Sequence, residues 1–189
     1  MLNSTYGFIF SKMFKNPFQV AIVFSLVALV AKLALFSLDL QHDDLAYITF
    51  AYMLILLCAV FFGIRSNKIM YEGTTTFGQD FRTGARTASF FALIVGGITY
   101  IYYTKIDPDF FAIKTAKTIE VYKDGMQAII NENGLTEAKK MFKSKIVSLF
   151  AIYSPISQTT YTLFGLVFLG LFHAGVFALL MKKFPGFKK

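Results

Sequence analysis

The run Leu45–Ile64, LAYITFAYMLILLCAVFFGI, holds no charged residue at any of its positions. At 1.5 Å of rise per residue it is long enough to cross the roughly 30 Å hydrocarbon layer of a bilayer. Lipid offers no partner to a bare amide, so the run has to close its hydrogen bonds internally and be helical. Three further segments read the same way. The first, about 17–38, is interrupted only by Lys32 and opens with Asn16-Pro17, a side-chain cap followed by a proline whose missing N–H is not needed there. The third, about 85–103, stops before Asp107-Pro108; the fourth, 155–181, opens at Ser154-Pro155 and ends before Lys182, Lys183 and Pro185-Gly186.

Composition agrees with that count. Of 189 residues, 56% are hydrophobic and 16% charged, against about 25% charged in a soluble domain. A soluble fold of this composition would expose large apolar patches. The lone Cys58 lies inside an apolar run and excludes a disulfide scaffold. The net charge of +8 is not gathered on a soluble face, so nucleic acid is not an expected partner. The first apolar segment exceeds the ~7–15 residues of a secretory signal and lacks a small-x-small site, so a retained span is expected. The expected fold is all-α: residues 1–189 form a single membrane domain built on a four-helix transmembrane bundle.

Lysine and arginine placement sets the orientation. Lys12 and Lys15, then Arg65, Lys68, Arg82 and Arg86, then Lys182, Lys183, Lys188 and Lys189 fall on one side with only Glu72 and Asp80. The other side carries Asp39, Asp43 and Asp44 and a long link, 104–154, in which lysines and acids are mixed. Both termini are therefore expected in the cytoplasm, and the long link outside.

That link carries two helical stripes. Apolar residues recur at 111/112, 116, 119, 122, 126 and 129/130, and again at 135, 138, 142, 146, 149 and 153, with Asn133-Gly134 as the stop between them. An outer helical hairpin over 111–153 is expected. Its stripes either cover each other or lie on the outer leaflet, or one of them docks a protein partner.

On the inner side, Thr76 and Gln79 form a capping box that starts a helix leading into the third span. Phe77 and Phe81 share one face, and Arg82 and Arg86 another. The segment 65–84 reads as interfacial, with Arg65, Lys68, Arg82 and Arg86 at lipid headgroups. Gly73 and Gly78 make no nucleotide motif, since no strand precedes them and no Gly-Lys-Ser/Thr follows.

Phe62-Gly63-Ile64-Arg65, Glu72-Gly73, Thr76-Phe77-Gly78-Gln79-Asp80-Phe81 with Gly84, Tyr102-Tyr103 and Pro108-Asp109-Phe110 together resemble the bacterial membrane family catalogued as domain of unknown function 4199. The resemblance covers about 17–181. It implies a small four-span inner-membrane protein and carries over no catalytic or binding residue, because the family has no assigned activity.

Two ionisable groups lie within the spans, where each is costly and a functional candidate by default. Lys32 either snorkels outward, pairs with Asp39, or faces the bundle interior. The Cβ direction, which leans toward the helix N-terminus, opposes the outward snorkel. His173 is read as neutral and hydrogen-bonded to another helix, or else as a proton-carrying or ligand-binding group. Counted along their helices, the two stand roughly 10 Å apart in height, too far to pair directly. No intramembrane carboxylate, His-Glu-x-x-His or Gly-x-Ser-x-Gly appears, and His42 beside Asp43 and Asp44 makes only an acidic turn, so neither enzyme nor cofactor is expected. Ala88, Ala92 and Gly96, and Gly170, Ala174 and Ala178, are small residues at helical spacing that pack either within the bundle or across a homo-oligomer. The expected function is a non-enzymatic accessory or scaffold subunit binding lipid and a protein partner. The alternative is a small carrier or lipid-handling protein that uses Lys32 on an anionic headgroup or substrate.

Overall fold

The computed structural model of the chain describes residues 16–40 and 45–183. Lys12, Lys15, His42, Asp43, Asp44, Pro185, Gly186, Lys188 and Lys189 lie outside the described residues. Six helices follow in order: α1 Pro17–Ser37, α2 Leu45–Met70, α3 Phe77–Ile101, α4 Phe110–Asp124, α5 Met126–Ile152 and α6 Pro155–Lys183, with no strand among the described residues. A π-type turn, Tyr102–Ile106, extends α3. Helices α1, α2, α3 and α6 are long and apolar enough to cross a membrane. The sequence signals at their starts are realised: Asn16 Oδ1 accepts from the Gln19 amide at 2.9 Å, and Ser154 Oγ accepts from the Ser157 amide at 3.2 Å.

The chain divides into two compact units, one holding residues up to Gly96 together with those from Thr162 on, the other Gly97–Tyr161. In the first unit the four spanning helices share one core, with Ala21 and Ala28 from α1, Leu56, Val60 and Ile64 from α2, Ala88, Phe91 and Val95 from α3, and Leu166, Ala174 and Met181 from α6. Phe24 of α1 stacks on Phe62 of α2 at 5.8 Å, and Phe61 of α2 meets Phe177 of α6 edge-on at 5.5 Å. The small-residue faces of α3 and α6 pack on each other inside this unit. A side chain added at Gly170 would run into Ala88, and one at Gly84 would stand 2.9 Å from both Ala174 Cβ and Ile64 Cδ1. Large side chains such as Phe168, 78% exposed, and Leu93, 58% exposed, point outward. For a water-borne surface this would be an aggregation liability; for a helix solvated by lipid tails it costs nothing.

The second unit is built around Tyr102, Tyr103, Phe110 and Phe111, whose rings lie 4.7 to 5.1 Å from their neighbours. The Tyr102 hydroxyl donates to buried Asp107 Oδ2 at 3.3 Å. The least exposed positions of α4 and α5 include Phe111, Ile119, Tyr122, Ala138, Phe142, Ile146 and Leu149, members of the two apolar stripes. Gly134 interrupts α5 with φ 78° and ψ 160°, at the stop expected from Asn133-Gly134. The first arm also divides at Gly125, which the apolar periodicity did not signal, because Gly125 keeps a right-handed conformation, φ −79° and ψ −8°, and the stripe carries through it.

The segment 65–84 forms no helix of its own, and the helix leading into the third span starts at the capping box as expected. Residues 65–70 continue α2, and 77–84 open α3 and run into the span without a break. Between Ile64 and Arg65 there is no breaker, so the helix carries its charged residues past the apolar run.

Candidate functional site at the turn joining α2 and α3

The turn is made by two left-handed residues and a cap. Glu72, φ 50°, and Gly73, φ 79°, reverse the chain, and the Gly73 amide returns to the Lys68 carbonyl at 2.9 Å. Only glycine takes such a φ without a Cβ penalty, and Gly73 fits the usual C-terminal stop of a helix. Three residues later the expected capping box is present. The Thr76 amide donates to Gln79 Oε1 at 2.8 Å, and the Gln79 amide donates to Thr76 Oγ1 at 3.4 Å. The reversal lays the last turn of α2 beside the first turn of α3.

There Lys68 Nζ lies 2.6 Å from Asp80 Oδ2, with the two side chains 1% and 0% exposed. The same ammonium donates to Thr75 Oγ1 at 2.9 Å. Asp80 Oδ1 has no hydrogen-bond partner among the described residues. Lys68 is thus placed differently from the headgroup-facing cation expected of it. The turn brings a carboxylate within reach of its stem, and a buried ammonium takes that partner in preference to remaining alone. Helical register carries both residues on the packed faces of their helices. Tyr52, Leu56, Val60, Ile64 and Lys68 are spaced by four and all buried, and the small-residue row Ala92, Ala88, Gly84 extended one step back reaches Asp80. Close helix approach makes the pairing geometrically possible: a Cβ at Gly63 would collide with the Thr87 hydroxyl.

The other cations of the segment divide. Arg65 is half-buried, while Arg82 and Arg86 are exposed, and the two form no ion pair among the described residues. Arg82, Arg86, Phe90 and Leu93 make one exposed stripe on α3 that passes from guanidinium to apolar surface. Phe77 and Phe81, one turn apart, stack at 6.3 Å and are both more than a third exposed. Arg86 also lines an open recess of about 290 Å³ with Asn16, Pro17, Phe18 and Phe90.

Lys32 lies on the buried face of α1, in register with Ala21, Ser25 and Ala28, and is 5% exposed. His173 sits among Phe172 and Phe177 on α6, with ring centroids at 5.9 and 6.4 Å. Its Nδ1 is buried and has no hydrogen-bond partner among the described residues, where an interhelical bond was expected. No group of three His, Cys, Asp or Glu among the described residues is arranged to hold a metal ion. The arrangement is therefore one of charge placement: a closed ion pair inside, two open guanidiniums outside.

The model of the family described as Protein of unknown function (DUF4199) matches residues 19–183. No curated protein and no solved structure matches the chain.

Proposed function

The chain belongs to the family described as Protein of unknown function (DUF4199), and from that premise we propose that this multi-pass membrane protein is a non-enzymatic accessory or scaffold subunit of the bacterial inner membrane. Both termini and the α2–α3 turn face the cytoplasm, and the long link 104–154 lies outside. Arg82 and Arg86 hold anionic lipid headgroups, with Phe77 and Phe81 at the acyl boundary. The observation that carries the reading is the exposed α3 stripe: two uncompensated guanidiniums continue directly into Phe90 and Leu93, the order in which a helix entering a bilayer meets phosphate and then hydrocarbon. On the outer side, Val121, Met141, Val147 and Phe150 of 111–153 are exposed and apolar, and supply the surface for a protein partner.

Native mass spectrometry of the detergent-extracted full chain tests both parts. Wild type is expected to retain phosphatidylglycerol over phosphatidylethanolamine, and the double variant Arg82→Gln with Arg86→Gln to lose that preference. A double variant with unchanged lipid selectivity removes the headgroup role. A stoichiometric foreign subunit, lost from Val121→Glu with Val147→Glu, supports the scaffold role; extraction without one counts against it.

A second reading rests on Lys32. Its burial in the spanning core is the feature a small carrier of anionic headgroups or substrates would need. Lys32→Met is expected to abolish such handling, and a variant with unchanged lipid exchange in reconstituted vesicles would end this reading.

A further inference from the structure

The recess beside Arg86 joins one basic residue to apolar surface from two spanning helices. It is lined by exposed Arg86, Phe18 and Phe90, Pro17, and Asn16. Phe18 of α1 and Phe90 of α3 meet edge-to-face at 5.2 Å with an interplanar angle of 77°, so the apolar floor is a contact between two spanning helices. The Asn16 carboxamide oxygen is already engaged by the Gln19 amide. Among the described residues no carboxylate lines the recess, and the acid nearest in sequence on α3, Asp80, is taken by Lys68.

We propose that this recess is a discrete site for one anionic phospholipid molecule, its phosphodiester on Arg86 and its glycerol against Pro17, Phe18 and Phe90. The proposal rests on the lipid-binding reading above and adds to it a single seat with a stoichiometry. A guanidinium presents a planar fork of donors that matches two phosphate oxygens. Phenyl and pyrrolidine surfaces next to it suit the first methylenes of the chains. A volume of about 290 Å³ sits at the lower limit of ligand pockets, ~300 Å³. It takes a headgroup and glycerol, and leaves the acyl tails outside along the exposed face of Phe90 and Leu93. With one cation and no acid among its described lining residues, the site offers no partner to an ammonium, so a headgroup of net negative charge is preferred to a zwitterionic one. Arg82 lies one helical turn away and does not line the recess, so it separates a site from a charged surface.

The experiment is native mass spectrometry of the full chain titrated with phosphatidylglycerol, phosphatidylethanolamine or inorganic phosphate, for wild type, Arg82→Gln, Arg86→Gln, Arg86→Lys and Phe90→Ala, with circular dichroism confirming helicity. Wild type is expected to bind one phosphatidylglycerol more tightly than all further copies. Arg86→Gln should weaken that first copy by about tenfold or more, the loss of a charge-assisted bond pair. Arg86→Lys should recover part of the loss, Phe90→Ala should weaken the first copy, and Arg82→Gln should leave it within about twofold. Equal weakening by Arg82→Gln and Arg86→Gln, with no distinct first copy, overturns the site while headgroup anchoring by the surface stands. No preference for the anionic lipid in any variant overturns both. Displacement of the lipid by equimolar inorganic phosphate, unaffected by Phe90→Ala, identifies a free-anion site and overturns the lipid assignment.

Discussion

Lys68 Nζ stands 2.6 Å from Asp80 Oδ2 across the α2–α3 turn, both side chains buried, so the end of one spanning helix is pinned to the start of the next. A buried pair of this kind is poor evidence of net stabilisation, since desolvation offsets the attraction; removing one member is a different matter, because it strands a charge. Lys68→Met or Asp80→Leu alone is expected to destabilise by roughly 3–5 kcal/mol, and the double variant to recover most of that loss. Thermal unfolding in detergent reads this directly. Single variants that melt with wild type would show that the pair does not pin the turn.

Close helix approach yields a second expectation. A methyl at Gly63 meets the Thr87 hydroxyl, whereas Gly78 and Gly165 face open space. Gly63→Ala should cost about 1–3 kcal/mol as α2 and α3 move apart. Gly78→Ala and Gly165→Ala should stay within about 1 kcal/mol of wild type, the scale of helix propensity alone. The same melts rank the three, and an order other than this one would remove the steric explanation for Gly63.

In the second unit, Gly134 and Gly125 should respond oppositely to the same substitution. Gly134 occupies φ 78° and ψ 160°, a region essentially confined to glycine, so Gly134→Ala carries about 1–3 kcal/mol of backbone strain. Gly125, at φ −79° and ψ −8°, accepts alanine without strain and should gain about 0.4–1 kcal/mol from the stiffer unfolded chain. Amide hydrogen exchange over 126–152 is the measurement: faster in Gly134→Ala, unchanged or slower in Gly125→Ala.

The orientation is testable with one engineered thiol. Cys58, the chain's one cysteine, is replaced by alanine and a cysteine placed at exposed Asn131. Labelling of intact cells by a membrane-impermeant maleimide is expected, and labelling that requires lysis would invert the topology.

Much of this architecture is readable without coordinates because it depends on one-dimensional quantities. Span number follows from apolar run length, helix starts from Asn16-Pro17, Thr76 with Gln79, and Ser154-Pro155, and the Gly134 interruption from glycine between two stripes. Each is a local rule, satisfied by residues within a few positions of one another. Lys68 shows where that kind of reading ends. Its neighbours in sequence make it one more basic residue beside a bilayer, equivalent to Arg82 and Arg86. Its burial arises from Asp80, brought to it by the left-handed pair Glu72-Gly73 and by the close contact at Gly63 and Thr87. The recess at Arg86 likewise needs Phe18 from a helix far away in sequence. Composition and periodicity settled that four helices lie in a membrane, because hydrophobic length and hydrogen-bond satisfaction are properties of each segment separately. Which cation is neutralised and which is left open was settled by packing, because the energy of a charge depends on what non-adjacent helices place within a few ångströms of it.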